Sequence, residues 1–131
     1  MIDYEVQIFN RVHASVAPLC AKNRVVSTQI DGGTAFPAVS LIEMNNTTVR
    51  NRQSSTPVEN FARVMYQLEV FARTKSECRA VYAAADSAMI AMNFSRMSGQ
   101  YIDNADNTKV FRYVARYEAE LDPEGNIYRI S

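Results

Sequence analysis

Residues 58–94 read VENFARVMYQLEVFARTKSECRAVYAAADSAMIAMNF, and two periods follow one another along them. In residues 58–73 the even positions Val64, Tyr66, Leu68 and Val70 are apolar, while the odd ones include Arg63, Gln67, Glu69 and Arg73. A period of two predicts a strand with one buried face. Thr74-Lys75-Ser76-Glu77 then matches a capping box, in which the threonine hydroxyl accepts from a free amide of the first helical turn. Cys78, Val81, Tyr82, Ala85, Met89 and Met92 recur beyond it at helical spacing, so one helix face must lie on something apolar. The strand's own sheet is the nearest candidate. Nothing in this block has the look of a reactive group, and the functional question becomes what surface the scaffold presents.

Working outward, residues 3–16 predict a first helix. Asp3 is a candidate N-cap, and Ile2, Val6, Phe9, Val12 and Val16 form its apolar stripe. Pro18 disfavours helical geometry at Ala17 and ends the helix within a turn. Residues 24–30 read as a strand stopping at the turn signal Asp31-Gly32-Gly33. Residues 36–44 form the next, with Pro37 at its start, where a missing donor does least harm. Val39 and Leu41 face one way, and Ala38, Ser40 and Ile42 the other. Residues 97–109 read as a polar loop. The last long strand is 110–121, with Phe111, Tyr113, Ala115, Tyr117, Ala119 and Leu121 on one face. Asp122-Pro123-Glu124-Gly125 has the residues of a type I turn, and residues 126–130 return as a short strand. The tyrosines on strand faces are expected in the core, not as base-stacking platforms.

Residues 45–60, NNTTVRNRQSSTPVEN, are the outlier, with almost nothing to bury. They read either as a solvated loop or as a long polar hairpin arm that extends its flanking strands and orders on a neighbour. Under the second reading, Asn45, Asn46, Arg50, Arg52 and Gln53 are the candidate subunit-contact residues.

The chain has 131 residues, enough for one domain spanning 1–131 that buries about two thirds of its unfolded surface. Fourteen basic and fourteen acidic side chains cancel, and no dense Lys/Arg run offers the patch that nucleic acid requires, so sequence-specific nucleic-acid binding is not expected. Cys20 and Cys78 lack CxxC spacing and read as reduced, partly covered thiols of a cytosolic protein. Asp3 and Glu5 interrupt any leader, and no apolar run reaches the ~18 residues of a membrane span. The matches to the glycosylation pattern at Asn45, Asn46 and Asn93 are read as chance. His13 has no neighbouring nucleophile or orienting acid, so a hydrolase triad is unsupported. Phosphate-cradling glycine motifs are absent, the His and Cys residues are too few and scattered for zinc, and Asp103 with Asp106 fits a solvated turn better than a metal site. No catalytic residue, cofactor or metal is expected.

The order of segments resembles the small tail-terminator and tail-completion proteins of long-tailed bacteriophages and prophages. An N-terminal helix precedes Phe36-Pro37-Ala38-Val39 entering a strand; the polar stretch 45–60 follows. Val64-Met65-Tyr66-Gln67-Leu68-Glu69-Val70 then runs into a helix, and Tyr113-Val114-Ala115-Arg116-Tyr117 closes the pattern. The resemblance covers nearly the whole chain. It implies an α+β fold: a mixed, mostly antiparallel sheet with the N-terminal and central helices packed on it, and a polar hairpin arm at 45–60. It further implies a homo-oligomeric ring, commonly a hexamer, that caps the tail tube and joins it to the head. Its partners would be the major tail tube protein and a head-connector or neck protein, and its place the virion tail after assembly in the bacterial cytoplasm. A neutral domain with a polar arm suits the head-to-tail contacts that close a ring. A neck or head-completion protein, a small α+β peptide- or ligand-binding module, and an enzyme relying on substrate and backbone remain as alternatives.

Overall fold

The computed structural model describes residues 2–22, 24–28, 35–49, 61–102 and 110–130. Helix α1 (Glu5–Val16) is followed by a 3-10 turn at Ala17–Leu19. Strands β1 (Val25–Val26), β2 (Ala38–Thr48) and β3 (Ala62–Ala72) lead to helix α2 (Lys75–Ala91). Strands β4 (Ser95–Ile102), β5 (Phe111–Leu121) and β6 (Ile127–Tyr128) complete the chain. The sheet order is β1-β2-β3-β5-β4, with β6 added alongside β5. Every pairing is antiparallel except β1 with β2. This is the expected α+β class with a mixed, mostly antiparallel sheet.

Strand β3 is the centre of that sheet. It pairs with β2 from Ala38↔Phe71 to Thr48↔Ala62, and with β5 from Ala62↔Leu121 to Ala72↔Phe111. Ala62, Val64, Tyr66, Leu68, Val70 and Ala72 are all buried, as their alternation predicts. Both helices lie on that face. Ile8, Val12 and Val16 of α1 join Cys78, Val81, Ala85 and Met89 of α2 in one core with Leu68, Ala115 and Tyr117. Tyr66 meets Phe94 edge-to-face, with ring centroids 5.6 Å apart.

Local chemistry fixes the ends of α2. Thr74 Oγ1 accepts from the Glu77 amide at 3.1 Å, so the capping residue is the expected one. At the far end Asn93 takes φ 72, the left-handed conformation in which asparagine can replace glycine after a helix. Beyond β5, Asp122 Oδ1 accepts from the amides of Glu124 and Asn126 at 3.0 and 2.9 Å, and Gly125 supplies the positive φ of the turn. The Tyr4 hydroxyl donates to Pro123 O at 2.6 Å, which ties the N-terminal segment to this turn.

Three expectations need correction. The helix stripe is Ile8, Val12 and Val16, flanked by Ile2 and Phe9, whereas Val6 is 67% exposed. At roughly 100° per residue, Val6 lies about 120° around the helix from Val12, outside the contact with α2 and the sheet. Asp3 does not cap from the N-cap position either: that position is Tyr4, and Asp3 Oδ1 accepts from the Glu5 amide at 3.1 Å. Residues 95–102 form β4, where a polar loop from residue 97 was expected. Most of β4 is exposed and it is bulged between Arg96 and Ser98, so no alternation marks it in the sequence. The first strand keeps only Val25–Val26 among the described residues; the turn at 31–33 and the rest of the second loop, 103–109, lie outside them.

Leu68→Ala should cost about 2–5 kcal/mol, because a fully buried side chain is truncated between two sheet neighbours and two helices. Val6→Ser should stay within about 0.5 kcal/mol. Denaturant unfolding of the two variants beside wild type checks both, and equal losses would contradict the helix orientation.

Candidate functional site

Sheet geometry leaves three surfaces on which chemistry or contact can be built. The first is the outer end of the β2–β3 hairpin. The Val49 amide donates to Phe61 O at 2.9 Å, so pairing of the two strands continues past Thr48. Asn45 is exposed beside a bulge between Glu43 and Asn45. Asn46 is half-buried, and its Nδ2 donates to Ile2 O at 2.8 Å, pinning the N-terminus to β2. Arg50, Arg52 and Gln53 lie outside the described residues.

Beside this hairpin stand Asp3, Glu5 and Glu43, one carboxylate oxygen of each lying within 4.8 Å of the others. No local pattern in the sequence marks this cluster, because β2 brings Glu43 to the helix start from forty residues away. Oxygen donors of this type suit a hard divalent cation. Their mutual effect is visible at Glu43, whose pKa is raised by burial first and the Glu5 charge next; the Tyr66 hydroxyl, donating at 3.3 Å, opposes the rise. The same surroundings push the Tyr66 hydroxyl far up.

A second surface is the sheet face turned away from the helices. Gln67 and Glu69 of β3, Arg112 and Arg116 of β5, and Ser98 and Gln100 of β4 line a groove of about 410 Å³. Arg112 pairs with Glu69, Gln67 Nε2 donates to Glu69 Oε1 at 3.2 Å, and Arg116 Nε donates to Gln67 Oε1 at 3.1 Å. On the groove floor Arg112 is thus paired with a carboxylate, whereas Arg116 is held by the neutral amide of Gln67. Farther along, Arg63 faces Glu120 at 3.4 Å across the same face.

The third surface is where β4 meets α2. The Tyr117 and Tyr82 hydroxyls donate to Asp86 Oδ1, and Arg96 reaches both the Tyr82 hydroxyl, at 2.8 Å, and Asp86. Tyr113 packs between Tyr82, tilted against it, and Tyr101, which it meets edge-to-face, with centroids 4.0 and 4.8 Å away. Its phenol lies over Gly99, where any Cβ would collide with the hydroxyl. Burial, then hydrogen bonding to Tyr82, pushes Tyr113 up to about 12. These tyrosines are held as packing and hydrogen-bonding groups.

His13 is exposed and tilts against Phe9 at 5.8 Å. Cys20 and Cys78 are free thiols, both pushed up to about 11 chiefly by burial, which makes them poor nucleophiles. No helix among the described residues is long and apolar enough to cross a membrane.

Residues 7–122 match the family described as tail completion protein gp17. No curated protein matches the chain. Among solved structures, a chain of the virion of a native gene transfer agent particle superposes with a TM-score of 0.60 at 13% identity. The match covers 92% of this chain and 99% of that one. At that identity the likeness is one of fold.

The acidic cluster makes a pH prediction. A carboxyl with a raised folded pKa holds its proton more tightly in the folded chain, so stability falls as pH climbs from the ordinary carboxylate value through the raised one. The penalty is complete once the pH stands above the raised value. Glu43→Gln, which keeps an acceptor for Tyr66, should therefore raise Tm at pH 7. The gain should shrink as pH falls toward the usual carboxylate range; thermal melts across pH read both, and a lower Tm at pH 7 would contradict the assignment.

Proposed function

The chain belongs to the gp17 tail completion family, structural proteins of the bacteriophage virion tail, and on that premise we propose that it is a terminator subunit. Copies of it form a ring, a hexamer in the simplest case, that caps the tail tube and joins it to the head. The partners in this reading are the major tail tube protein on one side and a head-connector or neck protein on the other. The observation that carries it is the pairing of a rigid, helix-backed sheet with a hairpin that runs on past Thr48 toward the polar stretch 50–60. The fold shared with a chain of a gene transfer agent virion supports the same setting.

Ring closure needs a contact that one subunit gives and the next receives. The giving element is the polar arm at 45–60, with Asn45, Asn46, Arg50, Arg52 and Gln53 as contact residues. Guanidinium groups at Arg50 and Arg52 form forked, directional bonds to carboxylates or carbonyls of a neighbour. A neck or head-completion ring would use the same surfaces against a different tube, and which tube binds the purified protein distinguishes the two roles.

Deleting residues 50–57 should leave a folded monomer that melts within a few degrees of wild type but no longer closes into a ring, since loop-closure entropy changes slowly with length. Arg50→Ala with Arg52→Ala should weaken association more than folding, and high salt should partly mimic it. Light scattering beside a thermal melt, with complementation of tail assembly, measures this. An unchanged oligomer would return the segment to a solvated loop.

A further inference from the structure

The groove on the sheet face turned away from the helices holds more hydrogen-bond donors than its own acceptors use. Two arginines and one glutamate line its volume of about 410 Å³. Glu69 Oε1 is already committed twice, to Arg112 and to Gln67 Nε2. Arg112 Nε is buried without an acceptor. Arg116 is anchored through Nε, which donates to the neutral oxygen of Gln67 at 3.1 Å. That bond holds the guanidinium at the groove and leaves its two terminal nitrogens unbonded among the described residues. Glu118, two positions on along β5, makes no ion pair with Arg116.

Register gathers further donors round the same point. Arg116 stands opposite Gln67 of β3 on one side and Ser98 of β4 on the other, so the three side chains share one face. Directly opposed Cβ atoms are about 4.5–5.5 Å apart, and Gln100, opposite Val114, lies on the diagonal from Arg116 within reach of a long side chain. Ser98 and Gln100 are exposed, and their side chains make no bond among the described residues. A forked guanidinium, a hydroxyl and a primary amide around one spot match a planar carboxylate, whose two oxygens accept several bonds. Nucleic acid fits poorly, because two arginines against one glutamate offer no line of phosphate contacts. A lone small anion would leave much of the groove unfilled. Half-buried Val114 and Ile102 line it as well, and they offer apolar contact to the chain on either side of a carboxylate.

We propose that this groove seats an acidic side chain, aspartate or glutamate, from a segment of a neighbouring virion protein. The carboxylate lies between the Arg116 terminal nitrogens, Ser98 Oγ and Gln100 Nε2, and the Arg112–Glu69 pair forms the fixed wall beside it. None of the ring-closing residues named above takes part, so the inference goes beyond the ring reading.

The probes are two blocked peptides, acetyl-Gly-Glu-Gly-amide and its Gln counterpart, titrated to millimolar concentration while NMR follows the arginine Nε–H and backbone amide signals. The Glu peptide should shift the signals of Arg116, Ser98 and Gln100 saturably, and the Gln peptide should not. Arg116→Gln should weaken the Glu peptide about tenfold, whereas Arg79→Gln, the same charge change on the exposed side of α2, should leave it unaltered. In complementation, Arg116→Gln should melt and oligomerise like wild type but assemble fewer tails. No saturable shift, an equal response to both peptides, or normal tail assembly by Arg116→Gln overturns the proposal. Tighter binding of inorganic phosphate or a single-stranded oligonucleotide at the same signals also overturns it, by giving the groove to a different occupant. Light scattering of the wild type reads the ring separately: its absence overturns the ring reading and leaves the peptide result to decide this one.

Discussion

The structure depends on β3 having a strand on each side over its full eleven residues while one face of it stays dry. Alternation alone places Val64, Tyr66, Leu68 and Val70 toward the helices, and slipping either pairing by one residue would carry that whole set to the wet face. The register with β2 and with β5 is therefore held by the hydrophobic effect as much as by the ladder itself. Helix α2 follows β3 after a two-residue break capped by Thr74, so it can only fold back over the same strand. Helix α1 then fills the space that α2 leaves beside β2.

Where a segment's own burial was strong, its sequence was readable. The central strand, its cap, helix α2, the face assignments on β5 and the Asp122–Gly125 turn all follow from local pattern, because each has one dry side or one demanding backbone position. Strand β4 was hidden for the opposite reason: an edge strand with exposed side chains on both faces has no periodic signal to give. The orientation of α1 was ambiguous because several apolar residues compete for one narrow contact, and only the position of α2 excludes Val6. The Asp3, Glu5 and Glu43 cluster is formed by tertiary proximity, which no local pattern carries. The candidate contact residues were legible only as an oddity of composition, polar residues placed between two long strands.

Polar and charged groups on the uncovered sheet face are bonded to one another across the strands. Arg112 with Glu69, Arg116 with Gln67, and Arg63 with Glu120 are cross-strand neighbours, and each arrangement spans β3 and β5. Where the arginine is largely exposed, as at Arg63 with Glu120, such a pair adds little stability, typically about 0–1 kcal/mol. Their effect is on what the face can hold: it is hydrated and patterned, without the single-sign field that draws polyanions.

The β3–β5 register also sets an order of events in time. Its paired residues are 59 positions apart at one end (121 − 62) and 39 at the other (111 − 72), so the central pairing waits on a long loop closure. Strand β4 precedes β5 in the chain yet has β5 as its one strand neighbour among the described residues. On a ribosome adding roughly 5–20 residues per second, β2, β3 and α2 emerge first, and β4 has nothing to pair with until β5 follows. The edge at residues 96–102 thus joins the sheet only after β5 has emerged, with β6 following it. A nascent chain that stops short of β5 has no finished β4 rim to offer.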